Sequence, residues 1–221
     1  MPEKPNEELR YLKKLIEKGE HQFLDFKYAI TDSRKIARSI VAFSNTGGGT
    51  LLIGVKDNGN VSGIRSEEEI YMVDAAATLY CRPEVKYKLR LWEPAEKKQV
   101  LEVIVRPSAS GLWKAQADDG SWKVWLRYHD QNIMADHVWE LVWKKKQSSA
   151  TKTIIFDKHE HLVLSHLTPG LEFRIEDVLK LTGLPESDVH ELISDFIVLG
   201  LMDMKLSESG LYYSVKQKLH I

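Results

Sequence analysis

Apolar side chains recur at helical spacing near the start of the chain. Leu9, Leu12, Leu15 and Ile16 share one side of residues 7–18, lysines take the other, and Gly19 follows as a stop. The period then changes to two. Over residues 22–27, Phe23, Asp25 and Lys27 fall on one face of a strand, and Leu24 and Phe26 on the other. Asp32 or Ser33 can cap a helix running through Phe43, with Ile36, Ile40 and Val41 inward and Arg34, Lys35 and Arg38 outward. The continuous apolar run 50–55 predicts a buried strand, and Asp57-Asn58-Gly59-Asn60 a turn. Residues 67–80 read as a second long helix. Residues 85–92 and 99–106 predict a hairpin around Glu93-Pro94, and residues 113–116 and 121–128 another around Asp118-Asp119-Gly120. A helix over 136–146 closes this region. The sum is α+β: a mixed sheet with helices packed on it.

Past Lys144-Lys145-Lys146-Gln147-Ser148-Ser149, which reads as a linker, the pattern changes. Residues 158–167, 174–181 and 186–199 form three short amphipathic helices, and residues 202–205 and 211–215 pair through Ser207-Glu208-Ser209-Gly210. Three helices followed by a hairpin predict a small winged-helix domain. The boundaries read from the sequence are 1–146 for the first domain and 151–221 for the second.

The 221 residues, 43 % apolar and 29 % charged, suit two small ordered domains. No apolar run approaches the roughly 18–20 residues needed to span a bilayer, and the N-terminus carries no signal-peptide core. The single cysteine, Cys81, excludes an internal disulfide framework and suits a cytoplasmic protein in which it is a buried small hydrophobe. The net charge of −1 hides an asymmetry: residues 151–221 hold 7 Lys/Arg against 11 Asp/Glu, and residues 1–150 hold 24 against 21. Neither half is strongly basic, so nucleic-acid affinity would rest on local patches in the first domain.

Ser44-Asn45-Thr46-Gly47-Gly48-Gly49-Thr50, between a helix and a strand, permits positive φ and leaves backbone N–H groups unshielded. The following strand delivers Lys56-Asp57 to its far end. That layout suits a phosphate-bearing partner or a metal near one; equally, it is a helix stop and a tight turn. No Gly-Lys-Ser/Thr follows, so ATP hydrolysis is not expected.

Glu20-His21-Gln22-Phe23-Leu24-Asp25-Phe26-Lys27, the run from Ala42-Phe43 through Gly54-Val55-Lys56-Asp57, and Val61-Ser62-Gly63-Ile64 together resemble the Schlafen AlbA-type domain. The resemblance covers roughly residues 8–140. Trp125-Leu126-Arg127 through Ala135 resembles the family's closing element, with His129-Asp130 in place of its Gly-Ser. It implies an AlbA-type fold and a nucleic-acid partner, DNA or RNA, and the leading role is a DNA-binding transcriptional regulator. Some family members are endoribonucleases with three carboxylates at these motif positions, which implies Glu20, Asp25 and Asp57 as ligands of Mg²⁺ or Mn²⁺, with Lys27 completing the catalytic set. From the residues alone, Asp25–Lys27 is a surface ion pair and Asp57 opens a turn. A third class is a protein-interaction module with a vestigial site. Whether the chain is an enzyme stays open.

The binding candidates are Asn45, Thr46, Gly47, Gly48, Gly49, Lys56, Arg34, Lys35, Arg38 and Arg127, with Arg82, Lys86, Lys88 and Arg90 extending the basic face. Trp113, Trp122 and Trp125 can stack bases or fill the core. The third helix of the second domain carries Glu186, Asp188, Glu191 and Asp195 and no Lys or Arg. A helix entering a DNA groove meets phosphates with positive charge. Protein contact or dimerisation is therefore the expected role of that domain, its positive residues Lys205, Lys216 and Lys218 lying on wing and tail. A homodimer is expected, because the nuclease cores that the chain resembles enclose substrate between two lobes.

Overall fold

The computed structural model describes residues 7–95, 98–108, 111–148 and 156–216. Ser149 of the expected linker and Lys218 of the tail lie outside them. The chain divides into two compact units, Met1–Met134 and Ala135–Ile221.

In the first unit, α1 (Glu7–Glu17) leads into β1 (Leu24–Lys27), α2 (Ser33–Asn45), β2 (Gly49–Ile53), α3 (Glu68–Thr78), β3 (Cys81–Arg82), β4 (Tyr87–Ala95), β5 (Lys98–Val105), β6 (Lys114–Gln116), β7 (Trp122–Tyr128) and β8 (Gln131–Met134). The strands form two four-stranded sheets, β1-β2-β5-β4 and β3-β6-β7-β8, where the sequence pattern suggested one. Period-2 patterning fixes which side chains share a face, but not which strands become neighbours.

The first sheet pairs β1 and β2 in parallel, Asp25 opposite Leu51, and is otherwise antiparallel. Its two faces build two cores. Leu24, Phe26, Leu52, Trp92 and Val100 meet Leu12 of α1 on one side. Leu51, Ile53, Leu101 and Val103 meet Ile36, Ile40 and Phe43 of α2 and Val73 and Ala76 of α3 on the other. Each such aliphatic or aromatic side chain contributes about 1.5–3 kcal/mol by leaving water. α2 packs against strands of both sheets, so every residue from Ile36 to Ser44 except Arg38 is buried. Asp32 caps it by accepting the Arg34 N–H at 2.8 Å. Cys81 is buried at 3 % exposure, and burial pushes its thiol up to about 12, so it is inert.

The second unit runs α4 (His137–Gln147), α5 (Lys158–His166), β9 (Glu172–Phe173), α6 (Ile175–Thr182), α7 (Glu186–Val198), β10 (Met202–Ser207) and β11 (Gly210–Val215), with sheet order β10-β11-β9. The helix expected to close the first domain, α4, packs on α7 instead. Amphipathic spacing predicts that a helix buries a stripe, not whose core receives it. Asp136 caps α4 by accepting the Trp139 N–H at 3.1 Å, and its other oxygen accepts the Tyr213 hydroxyl. Among the described residues no helix is long and apolar enough to cross a membrane.

Candidate functional site

The strand parity of β1 places Asp25 on the α2 side of the first sheet, at 2 % exposure. A buried carboxylate needs partners, and three elements supply them. Lys27 Nζ, two residues on along β1, lies 2.9 Å from Oδ2. Ser39 Oγ of α2 donates to the same oxygen at 3.2 Å. Arg127 of β7, equally buried, donates through Nη2 to Oδ1 at 3.3 Å and through Nη1 to Asn132 Oδ1 of β8 at 3.0 Å. Asn132 Nδ2 then donates to Ser39 Oγ at 2.8 Å. The bonds close a ring, Arg127–Asn132–Ser39–Asp25, that ties the two sheets to α2. Gln22 reinforces it, donating to the Arg127 carbonyl at 2.7 Å and accepting the His129 N–H at 2.8 Å. His129 sits at φ +50°, at the position where the resemblance expects glycine; histidine adopts this left-handed conformation more readily than most side chains.

Glu20 stands beside this ring. Its Oε1 accepts the Phe26 N–H at 2.8 Å, reaching along β1. Burial pushes its carboxyl above the ordinary range and the neighbouring Asp25 adds to the rise, while the Phe26 bond and Lys27 oppose it. Glu20, Asp25 and Lys27 therefore lie together.

Asp57 does not complete the group. After β2 the chain turns at Gly54 (φ +93°), Val55 bridges back to Val61, and Asp57 stands exposed in the turn that follows. Among the described residues no three His, Cys, Asp or Glu side chains are grouped to hold a metal. The donor set points the same way: both oxygens of Asp25 are engaged, one by Lys27 and Ser39 and the other by Arg127. The expected three-carboxylate centre is replaced by two carboxyls with two built-in cations, which does not fit Mg²⁺ or Mn²⁺.

The glycine-rich turn is likewise turned inward. Asn45 Nδ2 donates to the carbonyls of Trp113 at 2.9 Å and Trp125 at 3.0 Å, and its Oδ1 accepts the Trp113 N–H at 2.9 Å. Thr46 Oγ1 donates to the Ala42 carbonyl, and the N–H groups of Thr46 and Gly48 both donate to the Phe43 carbonyl. A Cβ on Gly49 would stand 2.3 Å from the buried Phe43 ring. Gly48, at φ +77°, would put one 2.9 Å from the Val105 carbonyl and 2.8 Å from Pro107. A Cβ on Gly47 would meet only the exposed Phe23 ring. What crowds Gly48 and Gly49 is this protein's own side chains and backbone.

The basic candidates separate into engaged and unengaged groups. Arg34 pairs with Asp32 at 3.1 Å. Arg38 pairs with Asp118 and lies over the Trp125 ring. Arg127 is wholly internal, so it is no phosphate contact as the structure stands. Lys56 and Arg65 lie 5.3 and 5.0 Å from the Tyr28 ring, and Arg82 lies 3.9 Å from that of Trp122. Lys35, Lys88 and Arg90 are exposed, as are Arg10, Lys13 and Lys14 of α1, which the sequence pattern registered only as a polar helix face. Among the described residues these last six make no ion pair. The sequence pattern gives no sign of Tyr11 or Glu102, while Trp92 fills the core as its hairpin position suggests. Glu102, at 0 % exposure, accepts the Tyr11 hydroxyl at 2.8 Å and Trp92 Nε1–H at 3.0 Å. Only a buried acid inside the alternating run of β5 could have signalled it.

The sequence profile of the family described as Schlafen, AlbA_2 matches residues 20–136. No curated protein matches the chain. Among solved structures, the DIP2311 protein from Corynebacterium diphtheriae is similar at 15 % identity and a TM-score of 0.47, over 73 % of this chain and 41 % of that one. The match thus spans well under half of that protein's length.

Proposed function

Since the chain belongs to the Schlafen AlbA_2 family, we propose that it binds nucleic acid, DNA or RNA, and does so through its first unit. The observation that carries this reading is the distribution of unengaged cations. In the first unit Arg10, Lys13, Lys14, Lys35, Lys88 and Arg90 are exposed and, among the described residues, make no ion pair. In the second unit Lys144, Lys146, Lys158 and Lys180 are likewise exposed and, among the described residues, make no ion pair, but Lys145, Lys205 and Lys216 are each held by a local acid and residues 151–221 carry 11 Asp/Glu against 7 Lys/Arg. Unneutralised cations release counterions from a phosphate backbone when they meet it, and that release dominates affinity.

The second unit serves protein contact in this reading. Its order after α4, helix–strand–helix–helix–strand–strand, supports a winged helix. α7, however, exposes Glu186, Asp188 and Glu191, and Lys145 of α4 is drawn to its Glu191 and Asp195 at 2.6 and 2.7 Å. Such a helix is repelled by a phosphate-lined groove. A regulator in which the first unit grips DNA and the second recruits a protein, including a second copy of this chain, fits both halves. The endonuclease alternative gains no observation, because Asp57 stands apart from Glu20 and Asp25.

Titration of the full-length chain against labelled DNA and RNA across a salt series tests the reading. The expected result is binding whose log K falls with log salt at a slope of about −2 to −5, as for three to five phosphates engaged. Absence of binding at low salt to every nucleic acid tried would reject it.

A further inference from the structure

Tyr11 is an exposed aromatic held still. Its ring, 41 % exposed, packs 5.6 Å from that of Trp92, and its hydroxyl is fixed by Glu102, a fully buried carboxylate that also takes the Trp92 N–H. Among the described residues the Glu102 carboxylate makes no salt bridge; its recorded bonds hold these two aromatics. Cations occupy neighbouring positions on α1 and β4. Lys14 lies one turn on along the same flank of α1. Arg90 pairs directly opposite Glu102 on β4, the edge strand, and Lys88 shares its face one pair further on. Both are exposed and, among the described residues, make no ion pair. Two residues along a strand advance about 6.7 Å, a spacing that suits successive phosphates of an extended strand.

Charges on an edge strand also deter unwanted pairing, and that accounts for Lys88 and Arg90 taken alone. It does not account for an exposed tyrosine anchored by a buried acid between them and Lys14. An immobilised ring amid unneutralised cations is the combination that grips single strands: every base has a π-face to stack, and the cations follow the backbone. A duplex offers no free base face. We infer that the α1–β4 face is a single-strand binding surface, with Tyr11 as the base-stacking platform and Lys14, Lys88 and Arg90 as backbone contacts. This rests on the nucleic-acid reading above and adds the place, the strandedness and the stacking residue.

Fluorescence anisotropy with a labelled 12-nucleotide single strand and the matching duplex tests it on the full-length chain. The wild type should favour the single strand. Lys88→Ala with Arg90→Ala, both on the surface and harmless to folding, should weaken single-strand binding at least about tenfold and make the salt slope about 1.4 shallower, two cations at about 0.7 each. Tyr11→Leu should cost about ten- to a hundredfold with the salt slope unchanged. Tyr11→Phe, which keeps the ring but frees it from Glu102, should lose less than Tyr11→Leu, also with the salt slope unchanged. Wild-type binding with an affinity and slope indifferent to Lys88 and Arg90, or a preference for the duplex, would overturn this inference alone. No binding by the wild type would overturn the broader reading with it.

Discussion

The two units of this chain differ in the charge they take into their interiors, though both expose acids and cations at the surface. The first draws acids inward: Asp25, Glu69 and Glu102 are all buried and each is fully bonded, Glu69 by the backbone N–H groups of Ile30 and Arg65. Its unpaired cations stay at the surface. The second leaves acids outside, on α7, and draws a lysine toward them: Lys145, with its side chain 18 % exposed, reaches Ser194, Glu191 and Asp195. The net charge of −1 describes neither surface. A partner samples the field of one face and not the net charge of the chain.

The largest expected effect lies in the first unit's interior. Arg127→Leu would strip Asp25 of one cation and break the ring through Asn132 and Ser39. Leaving a buried carboxylate short of its partner costs about 3–5 kcal/mol. Urea denaturation should register that loss. A loss under about 1 kcal/mol would mean that Lys27 alone neutralises Asp25, and that acids drawn inward are not what organises this unit.

Next in size is Gly48→Ala. A Cβ there meets the Val105 carbonyl and Pro107 at positive φ, which costs about 2 kcal/mol or more. The variant also sharpens the comparison. If the first unit binds through side-chain cations and not through glycine-loop amides, the folded variant should keep its nucleic-acid affinity within about twofold while melting earlier. Affinity lost in step with intact folding would return the phosphate to the glycine turn.

Lys145→Ala is the second unit's counterpart. It releases Asp195 and Glu191 and leaves Ser194, buried at 0 %, with its bond to the Glu191 carbonyl. The expected loss is about 1–2 kcal/mol, since the acids can turn to water. Nucleic-acid affinity of the full-length chain should not fall. A fall as large as that for the Lys88/Arg90 pair would place the binding charge in the wrong unit.

How far the sequence carried this picture can be followed residue by residue. Alternation over residues 22–27 separated Asp25 from Leu24 and Phe26 correctly, because a strand's parity is a local property. The Asp32 cap and the glycine stop at Gly19 (φ +68°) were legible for the same reason. Arg127 was not: a Trp-Leu-Arg alternation says that it shares a face with Trp125, but its partners lie more than a hundred residues earlier, on β1. Asp57 enters the carboxylate set through the resemblance alone; the residues themselves read as the start of a turn, and past Gly54 (φ +93°) it stands exposed there. Glu102 stayed hidden because one acid in a hairpin strand reads as a solvent-facing residue until its neighbours are known.

The smallest effect tests the sign of the first unit's inward charge. Glu20 accepts the Phe26 N–H through Oε1, and a glutamine keeps that acceptor in place. Burial, with Asp25 beside it, holds the Glu20 carboxyl above its ordinary range despite Lys27. An acid whose folded pKa is raised favours the fold when protonated. Its contribution is therefore fullest below the unfolded value, near pH 4, and is lost as pH rises through the folded value. At neutral pH the charged Glu20 is a slight burden on the fold that Glu20→Gln removes. The variant should melt about 1–2 °C above wild type at pH 7, and the two curves should merge as the pH falls below about 4. A variant that instead melts lower at pH 7 would show that attraction to Lys27 outweighs burial and Asp25. Glu20 would then belong with the paired acids of this unit and not with those that the fold strains to hold.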